Sequence, residues 1–318
     1  MIDALMKSKG PSSYRDGLVL YLKGMLMGIA DLIPGVSGGT IAFITGIYDD
    51  VLGGISSYNI SFVKKFFSRD FKLAIEESST KFLIVLFSGI LTSVFLFARL
   101  MHFLMNNYAV FTWSLFFGLI IASIFTLFKS TKNVFGFNLV WLFLGGAFAY
   151  TVVSLVPVTT PESNLFIFFC GFISIMAMIL PGLSGSFLLL ILGKYQFITG
   201  AIKNPFNAEN IIIMGVFATG ATLGLTLFSR FLKYLLNKFH DQTMIFLVGV
   251  LIGSLKKVWP WKKTLESVVI RGKTKILSEE HFIPTKIDSE VVTAIGLMLV
   301  GFLIVFFMER VAEVKSEK

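Results

Sequence analysis

The chain has 318 residues, 55% of them hydrophobic and 15% charged, with 35 phenylalanines and a mean hydropathy of +0.81. A soluble surface has to be covered with polar groups, and soluble domains carry roughly 25% charged residues. That composition excludes an ordinary cytosolic enzyme, a disordered tail and a disulfide scaffold. The net charge of +9 comes from 28 Lys+Arg against 19 Asp+Glu. The basic residues cluster between apolar runs, where they act first as topology determinants and then as partners for anionic lipid.

Residues 1–17 carry no apolar core and no cleavage site, so no removable signal peptide is expected. The first apolar run, 18–55, is interrupted by Pro34-Gly35-Val36-Ser37-Gly38-Gly39-Thr40. A second run, 165–202, is interrupted in the same way by Pro181-Gly182-Leu183-Ser184-Gly185-Ser186. Proline removes a backbone donor and clustered glycines lower helix propensity, so each run is predicted to break at mid-depth. Non-helical backbone survives there only when buried in protein or lining a wet cavity. The pattern therefore predicts two re-entrant helical hairpins, kinked continuous spans being the alternative. Apolar stretches at 82–105, 109–128, 136–156, 211–236 and 291–308 approach the roughly 20 residues that cross a bilayer. The stretch 243–257 is shorter and ends on Lys256 and Lys257, which reach for the interface. A basic loop, 258–290, precedes the last span, and its KKVWPWKK segment reads as an interfacial belt. Cys170 is the single cysteine, which leaves no disulfide or CxxC metal site.

An internal repeat organises these elements. At a separation of 147 positions, Ala30, Pro34, Gly35, Ser37, Gly38, Gly46 and Tyr48 match Ala177, Pro181, Gly182, Ser184, Gly185, Gly193 and Tyr195. At 131 positions, Gly89, Arg99, Gly118 and Ser123 match Gly220, Arg230, Gly249 and Ser254. The change of separation is absorbed by a polar insert around 56–81. The expected fold is an all-α polytopic membrane protein in a single membrane domain, 1–318. Repeat 1 covers 18–128, a linking span 136–156, repeat 2 165–257 and a C-terminal span 291–308. Three spans lie between the hairpins, so the second copy is inverted. Inverted repeats with broken helices characterise alternating-access transporters. Sixteen Lys/Arg fall on the side of the termini against ten on the other, which favours both termini inside, although eight of the ten lie between 256 and 290.

The candidate site follows from the breaks. Each Gly-rich turn precedes a new half-helix, expected near 40–52 and 187–198, whose free amides attract an anion. Gly38, Gly39 and Gly185 let an anionic group approach the backbone. Ser37 and Thr40 in one turn, and Ser184 and Ser186 in the other, either cap the half-helix or bond the anion directly. Pro34, Gly35, Pro181 and Gly182 form the bends. Arg99 and Arg230 are the matched charges within spans, and each either grips phosphate through a bidentate guanidinium or snorkels to headgroups. Asp31, whose counterpart is Met178, and His102, one turn from Arg99, are candidates for proton coupling. Gly220/Gly224 and Gly249/Gly253 read as helix-packing pairs. No P-loop or HExxH occurs, so an enzyme is disfavoured, and no metal or cofactor is expected.

PGVSGGT followed by GIY, and LPGLSGS followed by GKY, resemble the polyprenyl phosphate transporter family of bacteria and archaea over nearly the whole chain. That resemblance implies translocation of undecaprenyl phosphate, an anionic carrier lipid of cell-wall synthesis, from the outer to the inner leaflet. It places the protein in the bacterial cytoplasmic membrane as a multi-pass translocase whose partners are that lipid and the bilayer, with no nucleic acid. The motif positions it carries over are Pro34, Gly35, Ser37, Gly38, Gly39, Thr40, Pro181, Gly182, Ser184, Gly185 and Ser186. The prenyl tail would stay in lipid while the phosphate crosses where the turns meet, and the 256–290 basic residues would gather it. The residues alone also admit a carrier or channel for a small inorganic anion, or a membrane enzyme or accessory subunit acting on lipid phosphates.

Overall fold

The computed structural model describes residues 2–32, 37–131, 136–155, 160–203, 206–270 and 273–316. A short helix α1 (Ile2–Lys7) leads into α2 (Tyr14–Asp31). Ser13 caps α2 by accepting from the Asp16 amide at 3.1 Å, while the Asp16 carboxylate accepts from the Ser13 amide in return. Beyond the first break come α3 (Gly38–Ile44) and α4 (Tyr48–Ser56), then α5 (Ile60–Phe67) and α6 (Phe71–Glu77). Two long helices, α7 (Thr80–Asn107) and α8 (Ala109–Ser130), and the shorter α9 (Leu139–Ser154) follow. The second broken segment comprises α10 (Asn164–Ile179), α11 (Gly185–Ile191) and α12 (Tyr195–Lys203). It is succeeded by α13 (Ala208–Lys238), α14 (His240–Val258), strands β1 (Lys262–Ile270) and β2 (Lys273–His281), and α15 (Ser289–Ser316).

Among the described residues, four helices hold stretches long and apolar enough to cross a membrane: Thr80–Phe97, Ala109–Lys129, Ala208–Lys238 and Ser289–Phe307. Two shorter apolar helices, α9 and α10, accompany them. The chain is thus a predominantly helical membrane protein, as its composition predicts. Two details differ from the sequence reading. The half-helices expected over 40–52 and 187–198 are each split in two, because Gly46 and Gly193 adopt φ of 69° and 65°, a left-handed conformation that ends a helix. The 258–290 loop is not wholly irregular, since β1 and β2 pair antiparallel from Lys262↔His281 to Ile270↔Lys273.

By its contacts the chain divides into two units. The first holds Met1–Met101, Glu162–Ser186 and Ile198–His240. Within it, glycines bring helix backbones together. A methyl group added at Gly24 would lie 2.3 Å from the Leu86 carbonyl oxygen, and one at Gly89 would lie 2.1 Å from that of Tyr21, so α2 and α7 touch backbone to backbone. α10 and α13 meet at the corresponding positions, Gly171 against Phe217 and Gly220 against Phe168, at 2.2 and 2.1 Å. A third contact changes hands: Gly28 faces Ser93 on α7, whereas Gly224 on α13 faces Ile175. The small residue has moved to the other helix of the pair and the close approach is kept.

The second unit holds His102–Pro161, Phe187–Phe197 and Asp241–Lys318. Gly118 on α8 sits against the Met298 carbonyl of α15, and Gly249 on α14 against that of Leu142 on α9, at 2.0 and 2.2 Å. Gly301 and Gly145 make the reciprocal contacts with Leu115 and Phe246. α9 is therefore packed on α14, and α15 on α8, through reciprocal glycine contacts. The ribbon is anchored at its foot. The Trp259 indole donates to the Phe282 carbonyl at 3.0 Å, and buried Trp261 packs on Val291 and Ala294.

Candidate functional site

Both breaks lie in the first unit, and the chain fastens one to the other. Ser37 caps α3, accepting from the Gly39 amide at 3.1 Å, and its hydroxyl donates to the Met178 carbonyl at 2.8 Å. Thr40 Oγ1 accepts from the Gly182 amide at 2.8 Å. The Tyr48 hydroxyl donates to the Ile179 carbonyl at 3.0 Å. Met178 and Ile179 end α10, where carbonyls have no partner within the helix. The first broken segment supplies those partners. Gly39 is needed for the approach, since a Cβ there would fall 2.7 Å from the Met178 oxygen and 2.8 Å from that of Ile179. Ser37, Thr40 and Ser184 are all buried.

The two turns differ at one equivalent position. In the first, the Asp31 carboxylate accepts from the Gly38 amide at 2.6 Å, and any side chain on Gly38 would strike it. In the second, Met178 takes the place of Asp31, and its side chain lies 2.8 Å from where a Gly185 Cβ would be. A carboxyl thus sits on the first turn, and a neutral thioether covers the second. Ser184 and Ser186 are hydrogen-bonded to each other at 2.9 Å. Gly182 has φ of 83°, which only glycine adopts readily, so Pro181-Gly182 makes the bend its sequence implies. α3 and α11 are seven residues each, so their dipoles are weak and hydroxyls and amides carry the local polarity.

The matched arginines part company. Arg230 donates to the Tyr58 carbonyl at 3.2 Å, just past the end of α4, while Arg99 is exposed. Pro34, Gly35 and the side chain of His102 lie outside the described residues. No group of three His, Cys, Asp or Glu side chains converges among the described residues.

Sequence reasoning passed over Tyr48 and Met178 as site residues, though Tyr48 belongs to the repeat and Met178 was noted opposite Asp31. It also treated Lys23 and Lys194 only as topology signals. Lys23 donates to the Thr45 carbonyl at the end of α3 at 2.7 Å. Thr160 donates to the equivalent Leu192 carbonyl at 2.5 Å while accepting, through its own carbonyl, a bond from buried Lys194 at 2.9 Å. A lysine within an apolar run is the signal that marks both.

Fold and site define a helical membrane protein built around two broken helical segments. The profile of the family described as undecaprenyl phosphate translocase-like matches residues 27–277. A polyprenyl-phosphate transporter of Vibrio cholerae serotype O1 is 39% identical over 303 residues, covering 93% of this chain and 97% of its own. A polyprenyl-phosphate transporter of Staphylococcus aureus is 32% identical over 253 residues, covering 75% of this chain and 85% of its own. No solved structure matches. The chain belongs to the undecaprenyl phosphate translocase-like family.

Proposed function

We propose that this protein transports polyprenyl phosphate across a bacterial cytoplasmic membrane, carrying undecaprenyl phosphate from the outer to the inner leaflet without chemically altering it. The observation that carries the reading is the Ser37–Met178, Thr40–Gly182 and Tyr48–Ile179 bonding that joins the two breaks, taken with membership of the family. In this reading 18–55 and 165–202 are re-entrant hairpins of an inverted repeat, and both termini are cytoplasmic. The paired glycine contacts of α2 with α7 and of α10 with α13 support it. Buried Ser184 with Ser186 and the Gly185 amide offer donors to a phosphate that has lost its water. In the first turn the Asp31 carboxyl already occupies the Gly38 amide and competes with that phosphate, exchanging a proton as it passes. Arg99, exposed, receives the headgroup, and the prenyl tail stays in lipid.

The test is movement of a labelled polyprenyl phosphate between leaflets of vesicles containing the purified protein, with and without a proton gradient. Translocation above protein-free vesicles supports the proposal. Flux of inorganic phosphate with no lipid movement would replace it with an anion carrier. Release of a dephosphorylated product would replace it with an enzyme.

A further inference from the structure

The second unit holds a cationic cluster that the broken helices do not account for. Lys257, near the end of α14, and Lys262, at the start of β1, share one carboxylate: Glu279 Oε2 lies 3.2 Å from the first ammonium and 3.9 Å from the second. Two cations facing one anion leave a positive charge over, and the Lys262 side chain is only 7% exposed. A buried charge without a full counter-charge is expensive, so such a place draws in an anion or expels a proton. Across the ribbon from Lys262 stands His281, whose Nε2 is buried with no hydrogen-bond partner among the described residues. Lys257 also lies over the ring of Phe187, 4.5 Å from its centroid, and Lys262 over that of Trp113 at 3.9 Å. Phe187 directly follows Ser186 of the second break in the chain.

We propose that Lys257, Lys262 and His281 form a phosphate-monoester site at the foot of the ribbon, with Glu279 as the internal anion that the phosphate displaces. Ammonium groups and a protonated imidazole supply charge-assisted donors to the phosphate oxygens, and the rings hold the lysine stems in place. The ligand's prenyl tail, though not its phosphate, rests on the transport reading above. Protonation behaves as such a site requires. Burial pushes the Lys262 ammonium down to about 7, with Glu279 opposing that shift and Lys257 reinforcing it. Burial and Lys262 likewise hold His281 below the usual histidine range. An incoming dianion stabilises both protonated forms, so binding takes up protons and weakens as pH rises above about 7.

The experiment is a calorimetric titration of the detergent-purified protein with inorganic phosphate in one arm and farnesyl phosphate in the other. Trp113 emission reports the lysine that lies over its ring. Lys257→Met and Lys262→Met are expected to weaken binding tenfold or more. Glu279→Gln is expected to tighten it severalfold, an effect that damage to the fold does not produce. Lys262→Arg, charged at every accessible pH, is expected to keep its affinity at pH 8.5 where the wild type loses it. Binding in both arms assigns a site that reads phosphate alone, and binding of farnesyl phosphate only assigns a lipid headgroup site. Binding of inorganic phosphate only assigns a free-anion site. Unchanged affinity in both lysine variants, or weaker binding in Glu279→Gln, overturns the proposal. Vesicles that fail to translocate lipid while this binding persists would overturn the transport reading and leave the site standing.

Discussion

The Ser37 hydroxyl donates to the carbonyl of Met178, 141 residues away, at 2.8 Å, and so ties the start of one short helix to the end of another. The same oxygen accepts from the Gly39 amide. Ser37→Ala therefore removes a helix cap and a tertiary bond together, each worth about 1 kcal/mol. The expected outcome is a lower melting temperature, with coupling to Tyr48→Phe in a double-mutant cycle, because both hydroxyls serve neighbouring α10 carbonyls. Strict additivity of the two losses would show that the bonds act separately.

Asp31→Asn keeps an oxygen for the Gly38 amide and removes the charge. If Asp31 titrates during transport, the variant moves polyprenyl phosphate at a rate that no longer responds to a proton gradient, while its stability barely changes. An undiminished gradient response would exclude Asp31 from coupling.

Arg99 and Arg230 are equivalent in sequence and differ in surroundings. Arg230→Ala loses the bond to Tyr58 and should cost about 1 kcal/mol of stability. Arg99→Ala should leave the melting temperature unchanged and lower the translocation rate in vesicles. The reverse pattern would make Arg230 the functional member of the pair.

Stability should follow pH through Lys262. Its ammonium is neutralised in the folded state near pH 7 but in the unfolded chain only near 10.5. Between those values the unfolded state binds more protons, so this group adds stability as pH rises from about 7 toward 10.5 and adds nothing further below 7. Thermal unfolding in phosphate-free buffer should show that rise in the wild type and lose it in Lys262→Met. A pH profile identical in the two proteins would contradict the assignment.

Glycines that recur in the sequence also recur as close contacts: Gly89 and Gly220, 131 positions apart, each bring two helix backbones together. The partnering of α9 with α14 and of α15 with α8 was not legible, because an apolar helix shows which residues are small without showing which neighbour they meet. The ribbon was missed for a different reason. Lys262–Ile270 and Lys273–His281 were weighed for their charge, and the β-branched run Val268-Val269-Ile270 was not read as a strand. The Pro-Gly-x-Ser-Gly pattern located both breaks between helices. It could not say whether Ser37 faces a ligand or the other turn, since a hydroxyl suits either partner.

The re-entrant, inverted arrangement is tested most directly by sided cysteine labelling in a Cys170→Ala background, with one exposed residue at each end of each broken segment. Ser12→Cys and Ser61→Cys should react from one face of the membrane, and Ser163→Cys and Ala208→Cys from the opposite face. Reaction of Ser12→Cys and Ser61→Cys from opposite faces would mean that the first segment crosses the bilayer outright, and would contradict the account.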